Sequence, residues 1–307
     1  MFNGRLVNLF VFFLLFPLEL HAEGSSKAVI AFAQDTLKND FRKAQVMAVK
    51  DAADRHPQLK FVYSDAQGKT SLLIRQIERF IAQQVEILIV GTNDEQAVVP
   101  VISKAHEAGI KVIVLDRGVK TEKYTTFINS DNVEIGAIGG RYIAKALNGK
   151  GKVLLFEGIQ TADVTQLRSK GFLQEMAGYP EISVIKRTGN YLRKDALVEM
   201  EKLLAGGERV DAIFAESDSM LSGVRPVLKK YGIDPASIIM VGCDYTSEAR
   251  DAIVAGTQTG SVLFPLGGEE SVAAALELLA GKELPKHIVN PVKLVTQENV
   301  EAVRPIF

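Results

Sequence analysis

From Lys27 onward, short unbroken apolar runs alternate with segments whose apolar residues recur at helical spacing. VIAFA (29–33) precedes an amphipathic stretch from Asp40 to Arg55, where Phe41, Ala44, Ala48 and Ala52 follow one helix face. FVY (61–63) precedes a helix that starts at Thr70, a residue suited to an N-cap, and carries Leu73, Ile77, Phe80 and Ile81 on one side. ILIV (87–90) leads into a helix over 95–108 with Gly109 as its stop, and VIVL (112–115) follows. The alternation then restarts with VLLF (153–156), ISVI (182–185), AIFA (212–215) and IIMV (238–241), each ahead of a helix-like stretch. Runs that are apolar throughout, and separated by helices, belong to parallel strands covered on both faces. Two such sets predict an α/β protein of two doubly wound parallel-sheet lobes.

The sets meet near Tyr124–Asn132 with no Gly/Ser-rich linker between them. Residues 259–307 are too few for a third domain and are expected to return to the first two. That routing predicts a multi-strand hinge with crossings near Ser130–Asp131, Phe264–Pro265 and Pro291–Val292. The expected lobes are therefore 27–130 plus 265–291, and 131–264 plus 292–307, restricted to opening and closing.

Residues 1–22 read differently: one cation, Arg5, then an apolar run from Leu6 to Leu18 interrupted by Pro17, then the small Ala22. The run is shorter than a membrane span of about 20 residues and fits a cleaved secretory signal. An uncleaved N-terminal anchor is the alternative. No cysteine follows the run to carry a lipid at that point.

Among 307 residues, 47% hydrophobic and 24% charged, the formal net charge is −1 and the cations are scattered, so nucleic acid is not an expected partner. The one cysteine, Cys243, excludes an internal disulfide and any CxxC site, and is expected to be a buried, inert thiol. His56, His106 and His287 are too far apart in sequence to suggest a metal site. Gly136–Gly140 (GAIGG) departs from the dinucleotide spacing and has no strand immediately before it, so it is read as close helix packing. Phosphate-binding and nucleophile-elbow motifs are missing from the sequence. No catalytic residue and no cofactor is expected.

Open parallel sheets bind ligands beyond the carboxyl ends of their strands. Those ends here carry Gln34-Asp35, Asn93-Asp94, Asp116-Arg117, Glu157, Asn190-Tyr191, Glu216-Ser217-Asp218 and Asp244-Tyr245. Any one pair can be a solvated strand cap, including Asp116-Arg117 at the end of KVIVLDRGV. Their recurrence at the same end of both sheets points to a cleft.

In that setting AFAQDTLKNDFRKA, VIVLDR, INSDN, EG…LRSKGF, GNY, AESDSM and VGCD, in this order, resemble the periplasmic sugar-binding proteins of the ribose- and galactose-binding type. The resemblance covers nearly the whole chain after the leader and implies the type I periplasmic binding protein fold. It further implies a monomeric periplasmic receptor that closes on a sugar or polyol and delivers it to an ABC importer permease. The alternative implied by the same shape is a sensor that signals to a membrane histidine kinase or chemoreceptor. Carried over by position, Asp116 and Arg117 match a sugar-binding Asp-Arg pair, Arg168 a further sugar-contacting arginine, and Asp244 a hydroxyl-binding carboxylate. Asp35 and Asn39 match polar first-loop positions, and Phe41 and Tyr191 match aromatic walls. Charged donors and acceptors suit a fan of hydroxyls, and aromatic faces keep water from the C–H faces.

Four positions depart from the ribose binders: Arg42 and Cys243 replace aromatics, Ser217 an asparagine and Phe264 a glutamine. Arg42, Ser217 and Phe264 are counted with the site, and the departures favour a neutral sugar other than ribose, with furanose forms and sugar acids open. For Arg42 the alternative is an exposed residue at a helix start. The leader makes a first prediction: mass spectrometry of the exported chain finds Glu23 at its N-terminus, whereas a membrane-bound product retaining Met1 would identify an anchor.

Overall fold

The computed structural model describes residue 1 and residues 27–307. The expected leader, Met1 aside, lies outside the described residues.

The first half alternates β1 (Ala28–Gln34), α1 (Asp40–Asp54), β2 (Leu59–Asp65), α2 (Thr70–Ala82), β3 (Ile87–Gly91), α3 (Val99–Glu107), β4 (Lys111–Leu115) and β5 (Thr126–Ser130). The second runs α4 (Asn132–Ala146), β6 (Lys150–Glu157), α5 (Asp163–Met176), β7 (Glu181–Thr188), α6 (Arg193–Ala205), β8 (Ala212–Ala215), α7 (Asp218–Lys230) and β9 (Ile239–Asp244). The chain closes with α8 (Ser247–Val254), β10 (Gly260–Leu263), α9 (Gly268–Leu279), β11 (His287–Asn290) and β12 (Lys293–Thr296). Two six-stranded sheets result, in the orders β11-β5-β4-β3-β1-β2 and β12-β10-β9-β8-β6-β7. The chain passes between sheets after β5, after β10, and again between β11 and β12.

All pairings in the first sheet are parallel, and in the second only β12 runs antiparallel, against β10. The unbroken apolar runs follow from this layering. Leu88, Val90, Val112 and Val114 face Leu73, Ile77 and Phe80 of α2 and Ile102 of α3. Ile87, Ile89, Ile113 and Leu115 face the opposite way, onto Val46 and Val49 of α1 and Val272 and Leu278 of α9. Each such side chain taken fully from water contributes about 1.5–3 kcal/mol. In the second sheet Phe156 and Ile213 face α6 and α7, while Val153, Leu155 and Phe214 face α4 and α5.

Local details differ from the periodicity. The buried stripe of α1 includes Val46, Val49 and Ala53, whereas Ala44 and Ala48 are only partly covered. Thr70 is the first residue of α2, not its cap; its hydroxyl bonds Asn93 Oδ1 at 3.3 Å instead. The helix expected over 95–108 begins at Val99, because Asp94 Oδ1 accepts from the amides of Gln96 and Ala97 and holds a turn there. Among the described residues no helix is long and apolar enough to cross a membrane.

The GAIGG stretch packs α4 closely on α5. A methyl group at Gly136 would lie 2.0 Å from the backbone oxygen of Arg168, and one at Gly171 would lie 1.9 Å from that of Val133. Backbone oxygens on both sides cannot withdraw without moving a helix. Alanine at position 171 gains roughly 1 kcal/mol in helix propensity, and overpacking costs about 1–3 kcal/mol, more for so close a backbone contact. Gly171→Ala is therefore expected to lower the urea midpoint; an unchanged midpoint would show that the two helices part freely.

Candidate functional site

The carboxyl ends of both sheets face each other across the cleft, and the first lobe contributes a cluster of buried charges. β1 ends at Gln34-Asp35, and the chain turns into α1 through Asn39, whose Oδ1 caps the helix by accepting from the Arg42 amide at 3.1 Å. This start places Phe41 and Arg42 in the first turn of α1. β4 ends at Leu115, and Asp116 immediately after it turns the chain sharply with a φ of 70°. The left-handed region costs a residue with a Cβ roughly 1–2 kcal/mol, least for Asp and Asn, whose side chains bond locally.

Arg42 Nη1 lies 2.5 Å from Asp116 Oδ2, and its Nε lies 3.7 Å from Asp35 Oδ1. Arg117 Nη1 lies 3.2 Å from Asp35 Oδ2 and donates to the Thr92 carbonyl, also at 3.2 Å. All four residues are at most 5% exposed. Asp116-Arg117 is thus no solvated strand cap, and Arg42 no exposed helix-start residue. Burial, then the neighbouring Arg42 charge, pulls the Arg117 guanidinium below its usual range, with Asp35 and Asp116 opposing.

The second lobe supplies the facing wall. Arg168 on α5 donates from Nε to Asn132 Oδ1 at 2.8 Å and from Nη1 to the Glu216 carbonyl at 2.6 Å. Asp244 ends β9 with φ 108°, and its Oδ2 accepts from Ser217 Oγ at 2.8 Å. Tyr191 also has positive φ, 60°, and its ring rests over Gly158, where a methyl group would fall 1.8 Å from the ring. Phe264 stacks on Phe41 with centroids 5.3 Å apart. Guanidinium groups cover the aromatic faces: Arg168 lies 4.8 Å from the Phe264 centroid, and Arg117 lies 5.2 Å from that of Tyr191.

Together these side chains line a narrow cavity between the lobes, with Asn39, Phe41, Arg42, Asp116, Arg117, Arg168, Tyr191, Ser217, Asp244 and Phe264 in its wall. Asp35 stands behind the wall and holds Arg42 and Arg117. Val164 completes the lining; a single apolar residue at the start of a helix leaves no sequence signal. Asn132 and Thr92, which hold the arginines, went unassigned, although Asn132 sits within the INSDN segment. Cys243 is buried outside the lining, with its thiol pushed up by desolvation. Among the described residues no group of three or more His, Cys, Asp or Glu could hold a metal ion.

The lobes meet across the mouth. Asn39 Nδ2 donates to the Tyr191 carbonyl at 2.8 Å, so both ends of its amide are spent on the protein. The Gly118 amide donates to Asp163 Oδ2 at 2.8 Å, and Thr161 Oγ1 donates to the Asn93 carbonyl at 2.7 Å. Within the closed cavity wall several buried polar atoms have no hydrogen-bond partner among the described residues: Asp116 Oδ1, Arg42 Nη2, Arg117 Nε and, behind them, Asp35 Oδ1. Buried polar atoms are nearly always satisfied, so these are the positions in the wall with hydrogen-bonding capacity to spare.

Residues 30–283 match the family model described as a periplasmic binding protein domain. The chain is 30% identical over 271 residues to the ribose import binding protein of Bacillus subtilis, covering 88% of this chain and 87% of the relative. The fold superposes with TM-score 0.86 on an ABC transporter solute binding protein from Bacillus halodurans with bound myo-inositol, at 27% identity, covering 91% of this chain and 98% of that one. It superposes with TM-score 0.85 on the binding protein of the arabinose ABC transporter from Shewanella sp. ANA-3 bound to L-arabinofuranose, at 27% identity, covering 90% and 94%.

Behind Tyr191 a second cluster carries a proton. Ser169 Oγ lies 2.8 Å from Glu157 Oε1 and 2.9 Å from Glu216 Oε1, yet a hydroxyl has a single hydrogen to give. One carboxyl must bring its own. Glu216 does so: burial pushes it up to about 8, against the Gly158 amide and Arg168. Burial likewise raises Asp244 to about 8, against Arg168. Both carboxyls are protonated when folded and ionised when unfolded over the interval from about 4, their usual range, to the raised values. Unfolding there releases protons, so stability falls as pH rises through that interval and levels off above it. The melting temperature is expected to decline between pH 5 and 8 by this linkage, and Glu216→Gln to flatten the decline. An unchanged slope in that variant would place the proton elsewhere.

Proposed function

The chain belongs to the periplasmic binding protein family, and from that membership we propose that it is a periplasmic receptor whose lobes close on a sugar and present it to the permease of an ABC importer. The observation that carries the sugar is the cavity between the lobes, with its polar atoms free of protein partners among the described residues and its aromatic walls. Asp116 Oδ1 accepts hydroxyl hydrogens, while Arg42 Nη2 and Arg117 Nε donate to hydroxyl or ring oxygens. Phe41, Tyr191 and Phe264 give the wall its apolar surface, which suits the C–H groups of a sugar. Ser217 and Asp244 meet the guest from the opposite lobe. The lobes are 27–130 with 265–291 and 131–264 with 292–307, and the Asn39–Tyr191 and Gly118–Asp163 bonds across the mouth form as they close.

A neutral sugar other than ribose suits the cavity best. Arg42 places a buried guanidinium where the ribose binders carry an aromatic, and it is paired with Asp116. The pairing offers a donor beside an acceptor, which suits adjacent hydroxyls or a furanose ring with its side chain. The nearby members of the fold that hold L-arabinofuranose and myo-inositol support a cyclic polyol as the guest class.

Calorimetry and thermal shift with D-ribose, L-arabinose, D-galactose and myo-inositol test the reading on protein unfolded and refolded to remove carried-over ligand. A sugar that binds only the folded protein adds ~2.7 kcal/mol of stability at one hundred times its dissociation constant. Asp116→Asn keeps a residue that tolerates positive φ, so it isolates the loss of charge from backbone strain. It is expected to weaken binding about ten- to a hundredfold, the value of one charged hydrogen bond in a dry site. Unaltered affinity in a folded Asp116→Asn protein would move the guest away from this carboxylate.

A further inference from the structure

Two glutamines are completely buried beside the cavity without lining it, Gln34 at the end of β1 and Gln45 on α1. A buried amide is retained only where its donors and acceptors are used. Gln45 Oε1 accepts from Arg42 Nη1 at 3.0 Å and from Gln34 Nε2 at 3.1 Å. Its Nε2 donates to the backbone carbonyl of Leu266 at 3.1 Å. Gln34 Oε1 in turn accepts from the Asp35 amide at 3.1 Å. Leu266 lies in the passage from β10 of the second sheet to α9 on the first lobe, two residues beyond Phe264 of the cavity wall.

We infer that Gln45 is a positioning residue that holds Arg42 in the cavity wall and ties that wall to the segment crossing between the lobes. Arg42 has a long side chain with several rotatable bonds, and Asp116 and Gln45 both engage its Nη1, while Nη2 has no hydrogen-bond partner among the described residues. Gln45 is the group that connects this guanidinium to the crossing chain. Contact with a guest at Arg42 is thereby mechanically linked to the crossing segment that carries Phe264. Gln34 serves as the brace, sharing the Gln45 oxygen and steadying the Asp35 backbone.

The inference uses the sugar-receptor reading for its binding readout, and the test separates the two. Gln45→Met, of similar volume and with no amide, is compared with Gln45→Glu, which as a carboxylate beside Arg42 keeps an acceptor for it but has no hydrogen to give Leu266. Calorimetry uses whichever of D-ribose, L-arabinose, D-galactose and myo-inositol the unaltered protein binds. Gln45→Met is expected to weaken it about tenfold, and to leave affinity nearly unchanged when Arg42 is already methionine, because the effect passes through that side chain. Gln45→Glu is expected to recover most of the affinity. Hydrogen exchange over 264–268 should be faster in both Gln45 variants. Equal losses with and without Arg42, or unchanged exchange over 264–268, would overturn the positioning role. If none of the four sugars binds the unaltered protein, the choice of a neutral cyclic polyol as the guest fails. The role of Gln45 is then decided by urea unfolding of the two single variants and the double: non-additive losses uphold it, and additive losses overturn it.

Discussion

Two buried ion pairs, Arg42 with Asp116 and Arg117 with Asp35, are the constraint around which the first lobe's half of the cavity is arranged. Charges removed from water are costly, and well-packed apolar residues would usually stabilise a fold as well or better. Their presence so near the centre of the molecule is therefore explained by recognition more readily than by stability. Each ion also needs further partners. The Thr92 carbonyl and the Gln45 amide supply some, and the atoms left over point to where a guest would complete the set. Strand ends, helix start and crossing segment all have to be in register for this to hold.

The backbone is bent to meet that requirement. Asp116, Tyr191 and Asp244 all have positive φ, and each lines the cavity. Such conformations persist where the surroundings over-determine them. The surroundings of Asp244 show how: the carboxylate of Asp218, at the start of α7, accepts from the Tyr245 amide at 2.7 Å and from Ser261 Oγ at 2.6 Å, which clamps the turn immediately after Asp244. On the other side of the second sheet, the glycine contacts between α4 and α5 bring Asn132 close enough to hold Arg168. Small residues outside the lining thus set where its charged groups stand.

The sheets were legible because the apolar runs that form them are buried on both faces, as β3 and β8 are along their whole length. Ten of the eleven residues assigned to the site from the sequence line the cavity, since strand ends and the resemblance both pointed there. What stayed hidden depends on partners distant in the chain. Thr70 looked like a cap because its bond to Asn93 cannot be seen from its neighbours. The short β12, antiparallel to β10, has no pattern of its own to announce its direction. Val164 and Gln45 are ordinary helix residues until α1, α5 and the crossing segment are assembled around them.

The routing of the chain also governs the order in which the molecule can be built. β11 completes the edge of the first sheet, yet it follows β10 of the second; β12 completes the second sheet after an interval of just two residues, 291 and 292. Neither lobe is a contiguous stretch that can finish by itself as the chain is made. Both wait for the last twenty-one residues, 287–307, so the two lobes reach their final form in a single late step. Contacts so far apart in sequence make folding slow, and until that step an unpaired β5 edge in one sheet and an unpaired β10 edge in the other remain open to stray strands.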